Sequence, residues 1–232
     1  MSILDERLPS QAAPLETAPE GEVLRPTRSR RSEIRGFAWE LVQTIPLTFL
    51  IFFGVRAIIQ NFKVEGASME PNLQTGQYLL INKAAYYHVE GFLANVLPSS
   101  TQGTIHYLFG GPERGDIAVF QAPPQPDKDF IKRVIGLPGD MVLVTAGKVY
   151  VNGKLLDEPY LEFHATYNYP ASQQPLRVPD DSYFVLGDNR PNSSDSHTGW
   201  FVPVDHLIGR AWASYWPPTD WGFIPHATYA AG

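Results

Sequence analysis

One membrane-spanning helix followed by a mainly antiparallel β domain is the fold class this sequence predicts. Three observations carry it. An uncharged run, Leu41–Val55, follows a cluster of arginines. Beyond it come short segments rich in Val, Ile, Tyr and Phe. The 232 residues also include 19 Gly and 21 Pro, which divide those segments with frequent turns and favour strands over long helices. A hydrophobic fraction of 44% is ample for one packed core.

Residues 1–36 read as a disordered tail, rich in Pro, Glu, Ala and Ser, that ends in Arg25, Arg28, Arg30, Arg31 and Arg35. Residues 37–60 read as the anchor. Its uncharged core of 15 residues, Leu41–Val55, is shorter than the ~20 a span ordinarily needs. It lengthens to a full span if Glu40 and Arg56 reach the two interfaces and Trp39 joins the aromatic belt. Pro46 is tolerated inside such a helix. The run lies too far into the chain for a cleaved secretory leader and lacks a small-residue cleavage site. Arginines on its N-terminal side place the tail in the cytoplasm and residues 61–232 across the membrane.

Strands are expected over Gln77–Asn82, Asp116–Gln121, Phe130–Ile135, Met141–Thr145, Lys148–Leu156 and Ser182–Leu186. Asn152-Gly153 is a two-residue hairpin signal inside the fifth of these. A smaller inserted β region is expected over about residues 145–182, whereas residues 84–112 carry no clear pattern.

Composition excludes several functions. With no cysteine there are no disulfides, no thiol catalysis and no Cys-based zinc site, and no other metal-ligand spacing stands out. The net charge of −6 arises after residue 38, where 12 basic residues face 18 acidic ones. A nucleic-acid binder would instead concentrate positive charge on its folded domain.

The polar stretch KVEGASMEPN (63–72) starts just beyond the apolar run and holds Ser68 between small residues and Met-Glu-Pro. A serine nucleophile needs a neighbouring base. None of the six histidines stands in a recognisable catalytic setting, although His197 is the one to watch. The stretch is not a G-x-S-x-G elbow. A lysine can serve if burial lowers its pKa from ~10.4 to ~7–8, which costs about 4 kcal/mol. Lys132 lies in the apolar strand FIKRVI, where alternation puts Phe130, Lys132 and Val134 on one face and Ile131, Arg133 and Ile135 on the other. By pattern alone, a solvated strand lysine is the better account of it.

Four stretches in order, GASMEPNL (66–73), RGDIAVF (114–120), FIKRVIGLPGD (130–140) and GDNRPNSSDS (187–196), resemble the sequence boxes of the type I signal peptidases. The anchor before them and GRAWASYWPP (209–218) after them fit as well. The resemblance runs from about residue 37 to the end. It implies a membrane-anchored serine endopeptidase with Ser68 as nucleophile and Lys132 as general base, cleaving signal peptides of exported preproteins after Ala-x-Ala type sites. By the same resemblance Ser193 orients the lysine ammonium and Asp195 is a structural acid in the box that opens at Gly187. Val64, Phe130 and Ile131 are then candidates to line the substrate pockets.

Three positions depart from the family pattern. Gly66 replaces a serine that supplies an oxyanion donor in some members, His197 replaces an arginine that pairs with the acid, and Asn72 replaces a threonine, which is expected to matter little. The resemblance implies no cofactor or metal, no nucleic acid, and a monomer at work on signal peptides beside the lipid bilayer of the plasma membrane. A related Ser–Lys self-cleaving repressor would carry a DNA-binding domain where this chain has a tail and a span.

Overall fold

The computed structural model describes residues 30–227 and 229, so residues 1–29 of the expected tail lie outside the described residues. The chain divides into two units, 1–48 and 49–232, with the boundary inside the first helix. That helix, α1, runs Arg30–Ile58, so it begins within the stretch expected to be tail. Its Trp39–Ile58 segment has a mean hydropathy of 1.8, no part of it is buried against protein, and it is long enough to cross a membrane. The helix stops at Ile58, and Ile59 and Gln60, expected to close the anchor, belong to the first strand.

The strands follow in order. β1 (Ile59–Lys63) and β2 (Tyr78–Asn82) precede β3 (His88–Val89), the short helix α2 (Phe92–Val96), β4 (Ser100–Gln102) and β5 (Ile105–Tyr107). Then come β6 (Ile117–Ala122), β7 (Gln125–Gly136), β8 (Met141–Thr145), β9 (Lys148–Val151) and β10 (Lys154–Leu155). β11 (Leu176–Arg177), β12 (Ser182–Leu186), β13 (Val202–Pro203), β14 (Leu207–Trp216) and β15 (Gly222–Phe223) complete the set. Every pairing between them is antiparallel, as the sequence predicts for a chain so rich in turns.

The main sheet has the order β1-β2-β14-β6-β7-β12-β13, with β15 also on β14. Period-two alternation buries both of its faces. Ile117, Val119 and Ile131 pack with Leu79, Ile81 and Met69 on one side, and Ala118, Phe120 and Val134 pack with Tyr183 and Val185 on the other. Each such buried aliphatic or aromatic side chain contributes ~1.5–3 kcal/mol. A four-stranded sheet, β10-β9-β8-β11, spans Met141–Arg177 and overlaps most of the stretch 145–182. Its Asn152-Gly153 turn has φ of 52° and 77°, the paired positive angles of a type I′ hairpin. The unassigned stretch 84–112 forms a small three-stranded sheet, β3-β5-β4.

Candidate active site

Ser68 is held by its neighbours rather than by a regular element. The side chain of Met69 is fully buried and that of Leu73 nearly so, and Leu73 N–H donates to the Met69 carbonyl at 2.9 Å. This small turn is sewn to the loop after β12. Asn189 N–H donates to the Ser68 carbonyl at 3.0 Å, and Asn189 Nδ2 donates to the Ala67 carbonyl at 3.1 Å. Ser68 itself stays half-buried at the edge of a cleft.

Lys132 lies on the central strand β7, opposite Ala118 of β6. Only 4% of it is exposed. Its Nζ is 2.6 Å from Ser68 Oγ, donates to the Ile131 carbonyl at 2.9 Å, and sits 5.3 Å from the centre of the Phe130 ring. The strand alternation read from the sequence therefore holds, and the lysine shares its face with Phe130. Burial lowers its pKa to about 8, against the opposing fields of Asp195 and then Asp188. No described histidine hydrogen-bonds Ser68. His197 pairs with Asp195, His206 with the Gln121 carbonyl and His226 with Asp116.

The cleft encloses about 670 Å³. β1 from Gln60 to Lys63 forms one wall and β7 from Lys128 to Lys132 the other, with Gly66, Ala67 and Ser68 at its end. Phe130 and Ile131 line it, but Val64 does not. Val64 is 1% exposed and packs in the core with Met69 and Leu79. The physical reason is its backbone: Val64 N–H donates to Gln77 O at 2.8 Å and its carbonyl accepts from Gly76 at 2.9 Å, which fixes the side chain inward. Gly66 borders the cleft at a φ of +86°, with open space where a side chain would begin. A serine there would have the room but not the backbone conformation.

The loop after β12 places the remaining expected residues. Asp195 is wholly buried, accepts the Gly187 N–H at 2.9 Å through Oδ2, and accepts His197 Nδ1 at 2.6 Å through Oδ1. The histidine thus supplies the partner that the family pattern draws from an arginine. Ser193 departs from expectation. Its Oγ is buried without a hydrogen-bond partner, so it does not touch the Lys132 ammonium, and it lies instead against Gly187. A methyl group on Gly187 would overlap both Ser193 Oγ and the Ser68 carbonyl. Only glycine lets this loop approach the serine so closely.

Sequence reasoning missed the buried ion pairs beneath the site. Arg133 grips Asp188 with two hydrogen bonds, Nε–Oδ1 at 2.8 Å and Nη2–Oδ2 at 2.7 Å, and its guanidinium lies 4.0 Å from the Tyr160 ring centre. Asn72, expected to matter little, completes that network by donating to Asp188 Oδ2 at 2.9 Å and to the Tyr160 carbonyl at 2.9 Å. Arg190, fully buried, forms a second pair with Glu158 and donates from Nε to the Gly187 carbonyl at 3.0 Å. Breaking one side of such a pair leaves an uncompensated buried charge, at a cost of ~3–5 kcal/mol. The only local signals were the charged residues inside apolar or Gly-rich runs.

Residues 38–216 match the family model described as "Signal peptidase, peptidase S26". The chain belongs to the type I signal peptidases of family S26. Among similar proteins, a probable signal peptidase I-2 from Synechocystis is 39% identical over 210 residues, covering 87% of this chain and 84% of that protein. The signal peptidase I of Leptolyngbya laminosa is 37% identical over 186 residues, covering 77% and 79%. That of Bacillus caldolyticus is 31% identical over 207 residues, covering 85% and 98%. As a member of this peptidase family the chain is a hydrolase, and its apolar N-terminal helix suits a membrane anchor. The matched residues include all of the side chains placed around the cleft.

Proposed function

We propose that this signal peptidase cleaves signal peptides from exported preproteins with Ser68 as nucleophile and Lys132 as general base. The observation that carries the assignment is the 2.6 Å contact between Ser68 Oγ and a buried Lys132 Nζ whose pKa is lowered to about 8. A lysine in that range has a working fraction of neutral amine near physiological pH. The neutral Nζ takes the Ser68 proton as Oγ attacks the scissile carbonyl, and the Ser68 backbone N–H steadies the oxyanion. The resulting ammonium gives its proton to the departing amine. Water then hydrolyses the acyl-enzyme, with Lys132 again as base, releasing the carboxylate of the signal peptide and restoring the serine.

The substrate lies extended in the cleft, using the free edges of β1 and the first half of β7 for backbone hydrogen bonds. Phe130 and Ile131 shape shallow pockets that favour small residues at −1 and −3. The enzyme works as a monomer with no metal or cofactor. The helix up to Ile58 is its plasma-membrane anchor in the lipid bilayer, the residues before that anchor lie on the cytoplasmic side, and the catalytic domain from Ile59 onward is extracytoplasmic. Confinement to the same membrane raises the effective concentration of enzyme and substrate for each other.

Cleavage of an Ala-x-Ala preprotein in detergent micelles tests the dyad. Ser68→Ala, Lys132→Ala and Lys132→Arg each abolish it, the last because guanidinium cannot release its proton. Replacement of all six histidines leaves measurable cleavage; complete loss in that folded variant would sink the lysine-base mechanism.

A further inference from the structure

His197 is not within reach of Ser68, yet it is tied to the residues that hold Ser68 in place. Its Nδ1 meets Asp195 Oδ1 at 2.6 Å, and its backbone N–H reaches the same oxygen at 3.2 Å. A carboxylate only accepts, so Nδ1 carries the proton. The ring stacks on Tyr167 with centroids 3.9 Å apart and planes 14° apart, which leaves 19% of the side chain exposed. Asp195, pinned through Oδ1, uses Oδ2 to fix Gly187 N–H, and Gly187 sits against the Ser68 carbonyl with no room for a methyl group.

Asp195 lies on the same segment as the imidazole, and the Tyr167 phenol stacks upon the ring. Asp195, Arg190 and Glu158 in turn act on Tyr167. The Asp195 charge also acts on Lys132.

We propose that His197 is a positioning residue for the Ser68–Lys132 pair: through its Nδ1 hydrogen bond it locks the Asp195 carboxylate that holds Gly187 against Ser68. The proposal rests on the dyad reading above.

The test is the kcat and KM for an Ala-x-Ala preprotein across the pH range for wild type, His197→Gln and His197→Ala, with thermal unfolding run alongside. His197→Ala loses the hydrogen bond to Asp195, so kcat falls about tenfold across the whole profile with KM little changed. His197→Gln keeps a donor to the carboxylate and restores the rate. If the Ala variant does not fold, His197→Phe, which keeps the stack on Tyr167 but has no donor, shows the same loss. A folded Ala or Phe variant with the wild-type rate, or a Gln variant no faster than Ala, would overturn the proposal. A wild-type profile with no acid limb, or cleavage by Ser68→Ala, would overturn the dyad reading instead.

Discussion

Replacing the proposed base by an apolar side chain of similar length, Lys132→Met, should abolish cleavage and at the same time stabilise the fold at neutral pH. The lysine ammonium, at about pKa 8 in the folded chain against an ordinary 10.5, is disfavoured by its surroundings. That difference corresponds to ~3 kcal/mol of lost stability at any pH below 8. The sign follows from proton counting. Between pH 8 and 10.5 the unfolded chain binds more protons at this position than the folded one, so stability rises with pH through that window. Below it the penalty is fully present, and above it the penalty is gone. Methionine removes the penalty but also forfeits the hydrogen bonds to Ser68 Oγ and the Ile131 carbonyl and the contact with the Phe130 ring. These together offset ~1–2 kcal/mol. The expected net gain at pH 7 is therefore ~1–2 kcal/mol, or ~2–8 °C in Tm for a domain of this size. Paired thermal melts of wild type and variant from pH 6 to 11 in the same detergent read the difference, and every other titrating group cancels between them. A Lys132→Met protein that is less stable at pH 7, or a difference that does not shrink above pH 8, would refute the claim that Lys132 is held at a cost.

Two further outcomes follow from the same geometry. With Lys132 near pKa 8, its neutral fraction rises from ~9% at pH 7 to ~91% at pH 9, so kcat/KM should climb about tenfold over that interval and then level; a profile already flat at pH 7 contradicts this. Gly187→Ala forces overlap with Ser193 Oγ and the Ser68 carbonyl and should cut cleavage at least ~100-fold, while Gly153→Ala, at positive φ but with open space around it, costs only ~1 kcal/mol and leaves cleavage intact.

What the sequence made legible was whatever short-range pattern controls. The alternation of FIKRVI put Lys132 on the face of Phe130, and the Asn152-Gly153 hairpin formed where its turn residues stand. β1 was hidden because Ile59 and Phe62 continue the apolar run of the anchor, and only the end of the helix at Ile58 separates them. β14 was hidden because its alternation of small and aromatic residues, GRAWASYW, has no clean apolar period. Val64 was misplaced in the pocket wall because its orientation is fixed by Gln77 and Gly76, a pairing that no local pattern encodes. Arg133–Asp188 joins residues 55 positions apart, and Arg190–Glu158 joins residues 32 apart. Each is built from a charge that, read alone, belongs on a surface.

Those long-range pairs bear directly on how a lysine can serve as a base here. Burial alone drives an ammonium toward neutrality without limit, and an amine whose pKa falls too far is a weak base. Lys132 is buried by the sheet, while Asp195 and Asp188 pull it back toward the charged form, and the balance leaves it near 8. Neither carboxylate is free to move. Asp188 is locked by Arg133 and Asn72, and Asp195 by Gly187 and His197. Asp195 ranks ahead of Asp188 among the charges that raise the proton affinity of Lys132. The loop 187–195 thus does two things with one set of residues. It presses the Ser68 backbone into place through Gly187 and Asn189, and it sets the proton affinity of the amine that Ser68 must meet. A change that loosens the loop should therefore alter the rate and its pH dependence together, whereas a change in the walls of the cleft, at Phe130 or Ile131, should alter substrate preference with the pH dependence unmoved.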